Sequence, residues 1–357
     1  MNKSKQLDFK GQEIFVGLDT HLKSWRVSII VGESVYKTFS QDPCPETLRN
    51  YLFKNFPNAN YYSAYEASFC GFKIHRNLVS LGIKNIVVNP ADIPTTDKER
   101  KQKEDSRDSR KIAKQLSQKD LTAIYIPEVE IEGDRSFVRY RKTLTKEITR
   151  TKNRIKSQLY YFGMEIPTQF SGKKYWSKRF TSWLQEIKLP TESAKMSLTG
   201  HIEMAELLRK KQYSVTKEIR KLSEKKIYKE NYNLLLSVPG VGSLTAMVIL
   251  TEFGDITRFK NLDNLCSFIG LVPMTHSTGE NERTGDITVR RNKILRTAIV
   301  ESSWNAIRND PALMLAYQKL IKRMEPQKAI IRIAKKLVNR ILYVLKNKKV
   351  YVQAVVK

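Results

Sequence analysis

The stretch KEDSRDSRKIAK, residues 103–114, sets Asp105 and Asp108 three positions apart in a run otherwise rich in Lys and Arg. On a helix that spacing puts both carboxylates on one face, where they can meet a divalent cation or neutralise Arg107, Lys111 and Lys114 through local ion pairs. Two further acids stand at strand ends: Asp19 follows the apolar run Ile14 to Leu18, and Glu66 closes NANYYSAYE. Four carboxylates drawn from separate segments to the edge of one sheet would make an oxygen-only site for Mg²⁺ or Mn²⁺. Hard cations prefer such donors, and phosphoryl transfer uses two of these ions on the attacking and leaving oxygens. Each strand-end acid also has a structural alternative, Asp19 as a cap of the following segment and Glu66 as a cap of a helix starting near Gly71.

A second group of residues lies in the last third. SVPGVGS resembles the hairpin of a helix-hairpin-helix element, in which Gly240 and Gly242 would let backbone amides approach a phosphate; the alternative is a plain turn between packed helices. HSTGENERTG offers hydroxyls at Ser277 and Thr278, followed by Arg283, Arg290, Arg291 and Lys293. A hydroxyl can attack a phosphodiester when cations stabilise the developing charge, although a Ser-Thr pair in a loop can equally serve only turn hydrogen bonds.

These residues need elements to hold them. EIFVGLDTHLKSWRVSIIVG reads as a buried strand followed by an alternating one, YYSAYE as a third apolar run, GFKIHRNLVSLG as a helix and IKNIVVNP as a short strand stopped by Pro90. The pattern predicts an α/β domain around a mixed sheet over residues 1–125. Phe137, Leu144, Ile148, Ile155, Leu159 and Phe162 then trace a narrow apolar seam, with Arg139, Arg141, Lys142, Lys146, Arg150, Lys152, Arg154 and Lys156 on the outer face against Glu147 alone. Leu208, Val215, Ile219 and Leu222 trace a second, so residues 126–230 read as two long coiled-coil-like helices that pair within the chain or between protomers. Residues 231–357 read as a mainly helical domain with a loop-rich passage from Leu265 to Lys293.

Composition narrows the class. The chain has 357 residues, 41% hydrophobic and 10% aromatic, enough for two or three cored domains. Lys+Arg 64 against Asp+Glu 36 gives a net charge of +28, whose self-repulsion a polyanion would offset. Nucleic acid is the natural partner. No apolar stretch is uninterrupted enough to span a bilayer, since LLLSVPGVGSLTAMVIL is broken by Pro239, Gly240 and Gly242. The N-terminus shows no apolar signal core, and three widely spaced cysteines (Cys44, Cys70, Cys266) fit a reducing cytoplasm. With four scattered histidines and no CxxC pair, zinc has almost no support.

The ordered motifs GLDTH, YEAS, EDSRDSRKIA, SVPGVGSLTA and GLVPMTHSTGE with RRNKILR resemble the DEDD transposases of insertion sequences, the family of bridge-RNA-guided recombinases, over nearly the whole chain. The resemblance implies an RNase H-like, resolvase-like N-terminal domain, a coiled-coil middle and a C-terminal transposase domain with a nucleophilic serine. It also implies assembly into a dimer or tetramer, and a structured noncoding guide RNA that pairs with donor and target DNA. Position by position it makes Asp19, Glu66, Asp105 and Asp108 the metal-binding acids. The departure is in HSTGE: Thr278 stands where the family has its serine before the glycine, and Ser277 comes one residue earlier. Thr offers the same hydroxyl chemistry with a methyl that restricts χ1. Thr278 is the favoured nucleophile, because a one-residue shift reverses side-chain direction in extended chain. Two other classes fit parts of the pattern: a junction nuclease using only the four acids, which would cut without a covalent adduct, and a non-catalytic packaging protein, which would tolerate Asp19→Asn.

Overall fold

The computed structural model describes residues 8–93, 105–170, 176–278 and 281–353, with the side chains of residues 105–106, 275–278 and 281–284 outside the description. The chain forms two compact units, residues 1–126 and 127–357.

The first unit is built on strands β1 (Glu13–Thr20), β2 (Trp25–Val31), β3 (Ser34–Gln41), β4 (Asn60–Glu66) and β5 (Lys84–Val88), joined by helices α1 (Pro45–Asn55) and α2 (Lys73–Ser80) and followed by α3 (Asp105–Ser117). The sheet order is β3-β2-β1-β4-β5. β2 runs antiparallel to β1 and β3, whereas β1, β4 and β5 are mutually parallel. This mixed α/β sheet agrees with the RNase H-like expectation. Strand alternation sorts the side chains into two layers. Ile14, Val16 and Leu18 of β1 pack with Leu48, Leu52 and Leu78 of α1 and α2, while Phe15 of β1 packs with Ala113 of α3 on the other face.

The second unit opens with α4 (Val129–Tyr161), passes through α5 (Lys178–Glu186) and returns along α6 (Glu192–Leu222). Contacts from Gln158 to Ala194 and from Thr145 to Gln212 show that α4 and α6 run antiparallel within one chain. Their seam holds the predicted Leu144, Ile148, Ile155 and Leu159, with Val215 and Ile219 opposite. Phe170, Phe180 and Leu184 fill the space between the two helices near α5. Beyond them come α7 (Lys226–Leu236), α8 (Ser243–Phe253), α9 (Leu262–Ile269), the strands β6 (Pro273–Thr278) and β7 (Asn281–Ile287), then α10 (Lys293–Asn309), α11 (Pro311–Ile321) and α12 (Pro326–Asn347). The core of this part gathers around α8 and α12, with Ile249, Phe253, Ile333, Leu337 and Ile341 buried. The passage read as loop-rich thus contains an antiparallel hairpin. Its strands carry few apolar residues, so alternation gave no signal.

Candidate active site

Asp19 and Glu66 sit at the C-terminal ends of neighbouring parallel strands, where Leu18 of β1 registers with Tyr65 of β4. Alternation places Asp19 with Phe15 and Gly17, and Glu66 with Tyr62 and Ala64, all on the face that packs against α3. The crossing of α3 over β1 depends on Gly17. A Cβ there would lie 2.0 Å from the Ser109 carbonyl oxygen and 2.4 Å from the Ala113 nitrogen, so only glycine admits the helix so close. Polar contacts fix the same crossing: the Ser28 hydroxyl is 2.8 Å from that of Ser109 and 3.0 Å from that of Thr38, and Arg110 Nε donates to Thr38 at 3.0 Å.

The direction of α3 follows from these contacts. Ser109 lies over Gly17 and Ala113 over Phe15, so α3 runs antiparallel to β1 and its first turn, with Asp105 and Asp108, lies towards the strand end that carries Asp19. The backbone thus directs the first turn of α3 towards the end of the sheet where β1 and β4 finish, although the described side chains of Asp19, Glu66 and Asp108 do not gather closely enough to hold a metal ion. His21 Nε2 is 3.1 Å from Asp19 Oδ2, a neighbour that sequence reading left without a role. α2 begins at Lys73, with Phe72, which offers no side-chain cap, in the cap position. The donor chemistry, carboxylate oxygen only, suits a hard divalent cation. Among the described residues no three acidic, His or Cys side chains stand close enough to hold a metal ion, and the Asp105 side chain lies outside them.

In the second unit, Ser277 and Thr278 are adjacent residues at the end of β6, in register with Glu282 and Asn281 of β7. Their side chains and that of Arg283 lie outside the described residues. Arg290, Arg291 and Lys293 are exposed beyond the foot of this hairpin. They are held by contacts that the sequence did not announce. Gly270, at φ 86°, closes α9 so tightly on this segment that a Cβ would lie 2.4 Å from Arg291 Cβ and 2.8 Å from the Arg290 carbonyl. Arg296 Nη1 donates to the carbonyls of Gly270 and Thr288 at 2.8 Å each. Asn292 caps α10 through Leu295 N at 3.1 Å and donates from Nδ2 to Glu252 Oε2 at 2.8 Å.

Glu252 is 2% exposed and also accepts a two-pronged bond from Arg139 of α4, at 2.7 and 2.8 Å. Burial works to raise the Glu252 pKa, but the Arg139 pair, the Asn292 bond and nearby Arg135 outweigh it and hold the carboxyl below its usual range. Two of the basic residues expected on the outer face are also tied into the fold: Arg139, still 47% exposed, reaches Glu252, and the partly buried Arg141 donates from Nε to Thr216 Oγ1 of α6 at 2.7 Å. Gly240 and Gly242 also divide. Gly240, at φ 88°, makes close contact with α10, where a Cβ would lie 2.5 Å from the Ser302 carbonyl and 2.7 Å from Ala306, whereas a Cβ on Gly242 would meet nothing within 4 Å.

Two stretches of the chain, one in each unit, match known proteins. A family model described as a transposase, of the DEDD IS110 type, matches residues 16–162, and one described as the transposase IS116/IS110/IS902 family matches residues 232–318. The chain belongs to the IS110 family of insertion-sequence transposases. Among its relatives, the transposase for insertion sequence element IS1111A of Coxiella burnetii is 27% identical over 281 residues, 75% of this chain and 73% of that one. The transposase for insertion sequence element IS1533 of Leptospira borgpetersenii is 25% identical over 255 residues, 70% of this chain and 72% of that one. With the y4qE protein of Sinorhizobium fredii, a candidate transposase, identity is 29% over 245 residues, 68% of this chain but 58% of that protein's length. IS110-family transposases act on DNA, and DEDD members use divalent metal ions. Among the described residues no helix is long and apolar enough to cross a membrane.

Proposed function

We propose that this chain cuts and rejoins DNA strands at an insertion sequence, with an acidic set and a hydroxyl sharing the phosphoryl-transfer chemistry. The acidic set is Asp19, Glu66, Asp105 and Asp108. The observation that carries the reading is backbone placement: Asp19 and Glu66 end adjacent parallel strands on the face that α3 covers, and the first turn of α3 runs towards them. Mg²⁺ or Mn²⁺ held there would stabilise charge on the phosphodiester oxygens. His21, 3.1 Å from Asp19, orients that carboxylate.

The hydroxyl is that of Thr278, with Ser277 as the competing nucleophile. Its oxygen forms a bond to the phosphorus, the bond from phosphorus to one strand oxygen breaks, and the departing oxygen takes up a proton while the hydroxyl proton passes to a base. Attack by a new strand end on the protein–DNA bond reverses the step and rejoins the DNA. Arg283, Arg290, Arg291 and Lys293 on and beside the hairpin counter the phosphate charge. The surplus charge of +28 suits a chain that also holds a noncoding guide RNA, with pairing rather than protein contacts selecting donor and target sequence. A dimer or tetramer would bring the acids of one protomer to the hydroxyl of another.

The test combines the protein, labelled element-junction DNA, the flanking noncoding RNA of the element and Mg²⁺, followed by denaturing electrophoresis and peptide mapping. A DNA adduct on Thr278, lost in Thr278→Ala and kept in Ser277→Ala, is the expected result. An adduct on Ser277 reassigns the nucleophile. Cleaved DNA with no adduct replaces the recombinase reading with a nuclease using only the acids, and unchanged strand exchange in Asp105→Ala removes the quartet.

A further inference from the structure

Arg26 of β2 stands directly opposite Asp19 in the antiparallel pairing of β1 with β2, and Ser40 of β3 stands opposite Arg26 in turn. Cross-strand partners share a face, so Ser40, Arg26 and Asp19 form one row on the side of the sheet that α3 covers, at the end where Glu66 closes β4. Opposite charges so placed would ordinarily pair, yet among the described residues Arg26 makes no ion pair. Its guanidinium turns the other way and donates from Nη1 to Ser40 Oγ at 2.7 Å. The Nε is enclosed without a hydrogen-bond partner among the described residues, so one neutral hydroxyl is all that holds this side chain. Arg110 of α3 repeats the arrangement two residues along β3, where its Nε donates to Thr38 Oγ1 at 3.0 Å, and this exposed guanidinium has no carboxylate partner among the described residues either. An arginine tied to a carboxylate is neutralised. One tied to a hydroxyl is fixed in direction and keeps its full charge and most of its donors.

We propose that Arg26 and Arg110 are a phosphate clamp beside the acidic set, gripping the DNA strand that is cut and leading it across the β2–β3 side of the sheet. Their anchors, Ser40 and Thr38, lie two residues apart on one strand, about 7 Å, so each guanidinium meets a different phosphate of the same DNA strand. The planar fork suits this task, since its N–H groups donate to two oxygens of one phosphate. Carboxylates alone would repel the polyanion, and the two uncompensated cations in the neighbouring positions of the sheet face offset that repulsion. The clamp rests on the reading that the acids cut DNA, and it adds the residues that hold the strand and the side on which it lies.

Full-length wild type, Arg26→Gln, Arg110→Gln and the double variant are compared on labelled element-junction DNA in two assays. Binding without divalent metal over a salt series reads the clamp alone. Single-turnover cleavage at subsaturating DNA, with Mg²⁺ and the flanking noncoding RNA of the element, reads the clamp together with the acids. The expected result is a log–log salt slope shallower by about 0.7–0.9 for each arginine lost, cleavage about tenfold slower in Arg26→Gln, and an unchanged melting temperature. Arg26→Lys keeps the charge without the fork, so it should restore the slope while cleavage stays below wild type. A wild-type slope in the double variant overturns the clamp, and a lowered melting temperature beside it makes the two arginines pins of the β2–β3 pairing. Flattened slopes with wild-type cleavage overturn it too, because the phosphates gripped would then belong to a strand that is not cut. Asp19→Asn is the control for the underlying reading: if it cleaves like wild type the acids are not the site, while the metal-free slope, in which nothing is cut, still decides whether the arginines hold phosphate.

Discussion

In the first unit Asp19 and the first turn of α3 are placed by main chain against main chain, at Gly17 and Ser109; in the second, the segment carrying Arg290, Arg291 and Lys293 is anchored by side chains, through Asn292, Glu252 and Arg139. Main-chain contact tolerates no added atom but does not depend on ionisation. A buried carboxylate clamp tolerates small shape changes but needs its charge. The two regions should therefore fail differently.

The largest effect is expected at the acids. Asp19→Asn keeps the strand and removes a charged ligand, so metal-dependent strand cleavage should fall at least ~100-fold, with the melting temperature nearly unchanged. Retained cleavage would remove Asp19 from the chemistry. Glu252→Gln comes next, leaving Arg139 without its counter-charge. Arg139 is 47% exposed, so the cost should be about 2 kcal/mol, below that of a fully enclosed pair, measured by denaturant unfolding of the full chain. The pH dependence gives its own check. Glu252 is held below its ordinary pKa, so its contribution is present above the unfolded carboxyl value and is lost as pH falls through the folded one. Acid unfolding of Glu252→Gln should lack that component, and identical acid profiles would break the clamp argument.

Gly17→Ala forces α3 away from the sheet and should cost roughly 1–3 kcal/mol, with lower cleavage but no change in acid sensitivity. The smallest effect has the opposite sign: Gly200→Ala, in mid-helix with nothing within 4 Å of the new methyl, should stabilise by about 0.5–1 kcal/mol in the same unfolding series. A stabilised Gly17→Ala or a strongly destabilised Gly200→Ala would undo the contrast.

What the sequence discloses follows the same division. Strand β1 is legible as the unbroken apolar run Ile14 to Leu18, β2 in the alternation of Trp25, Val27, Ile29 and Val31, and the two long helices in the spacing of Leu144, Ile148, Ile155 and Leu159. Asp19 and Glu66 stand out by their place at strand ends, and Asp105 and Asp108 by their spacing on a basic helix. The direction of α3 is not legible, since it rests on an approach that one glycine permits between residues far apart in the chain. Strands β6 and β7 escaped notice because PMTHST and NERTGDI lack an apolar alternation. Arg139 and Arg141 look like solvated charges on a basic helix until Glu252 and Thr216 fold against them, and a partner 113 residues away leaves no local trace. Gly240 reads as a phosphate-binding glycine because glycine in a turn is the same letter whether it admits a ligand or a helix.

The antiparallel pairing of α4 and α6 has a consequence for how such a chain can change over time. Both helices leave from and return to the same root, where Asp134 of α4 receives Lys225 at 3.1 Å and the Tyr228 hydroxyl at 3.0 Å. Inserting seven residues into each helix at matched heights would preserve the seam and lengthen the pair by about 10 Å, while every contact at the root stayed in place. The hairpin is thus an adjustable spacer, and its reach can drift among descendants of this sequence without disturbing the contacts at its base.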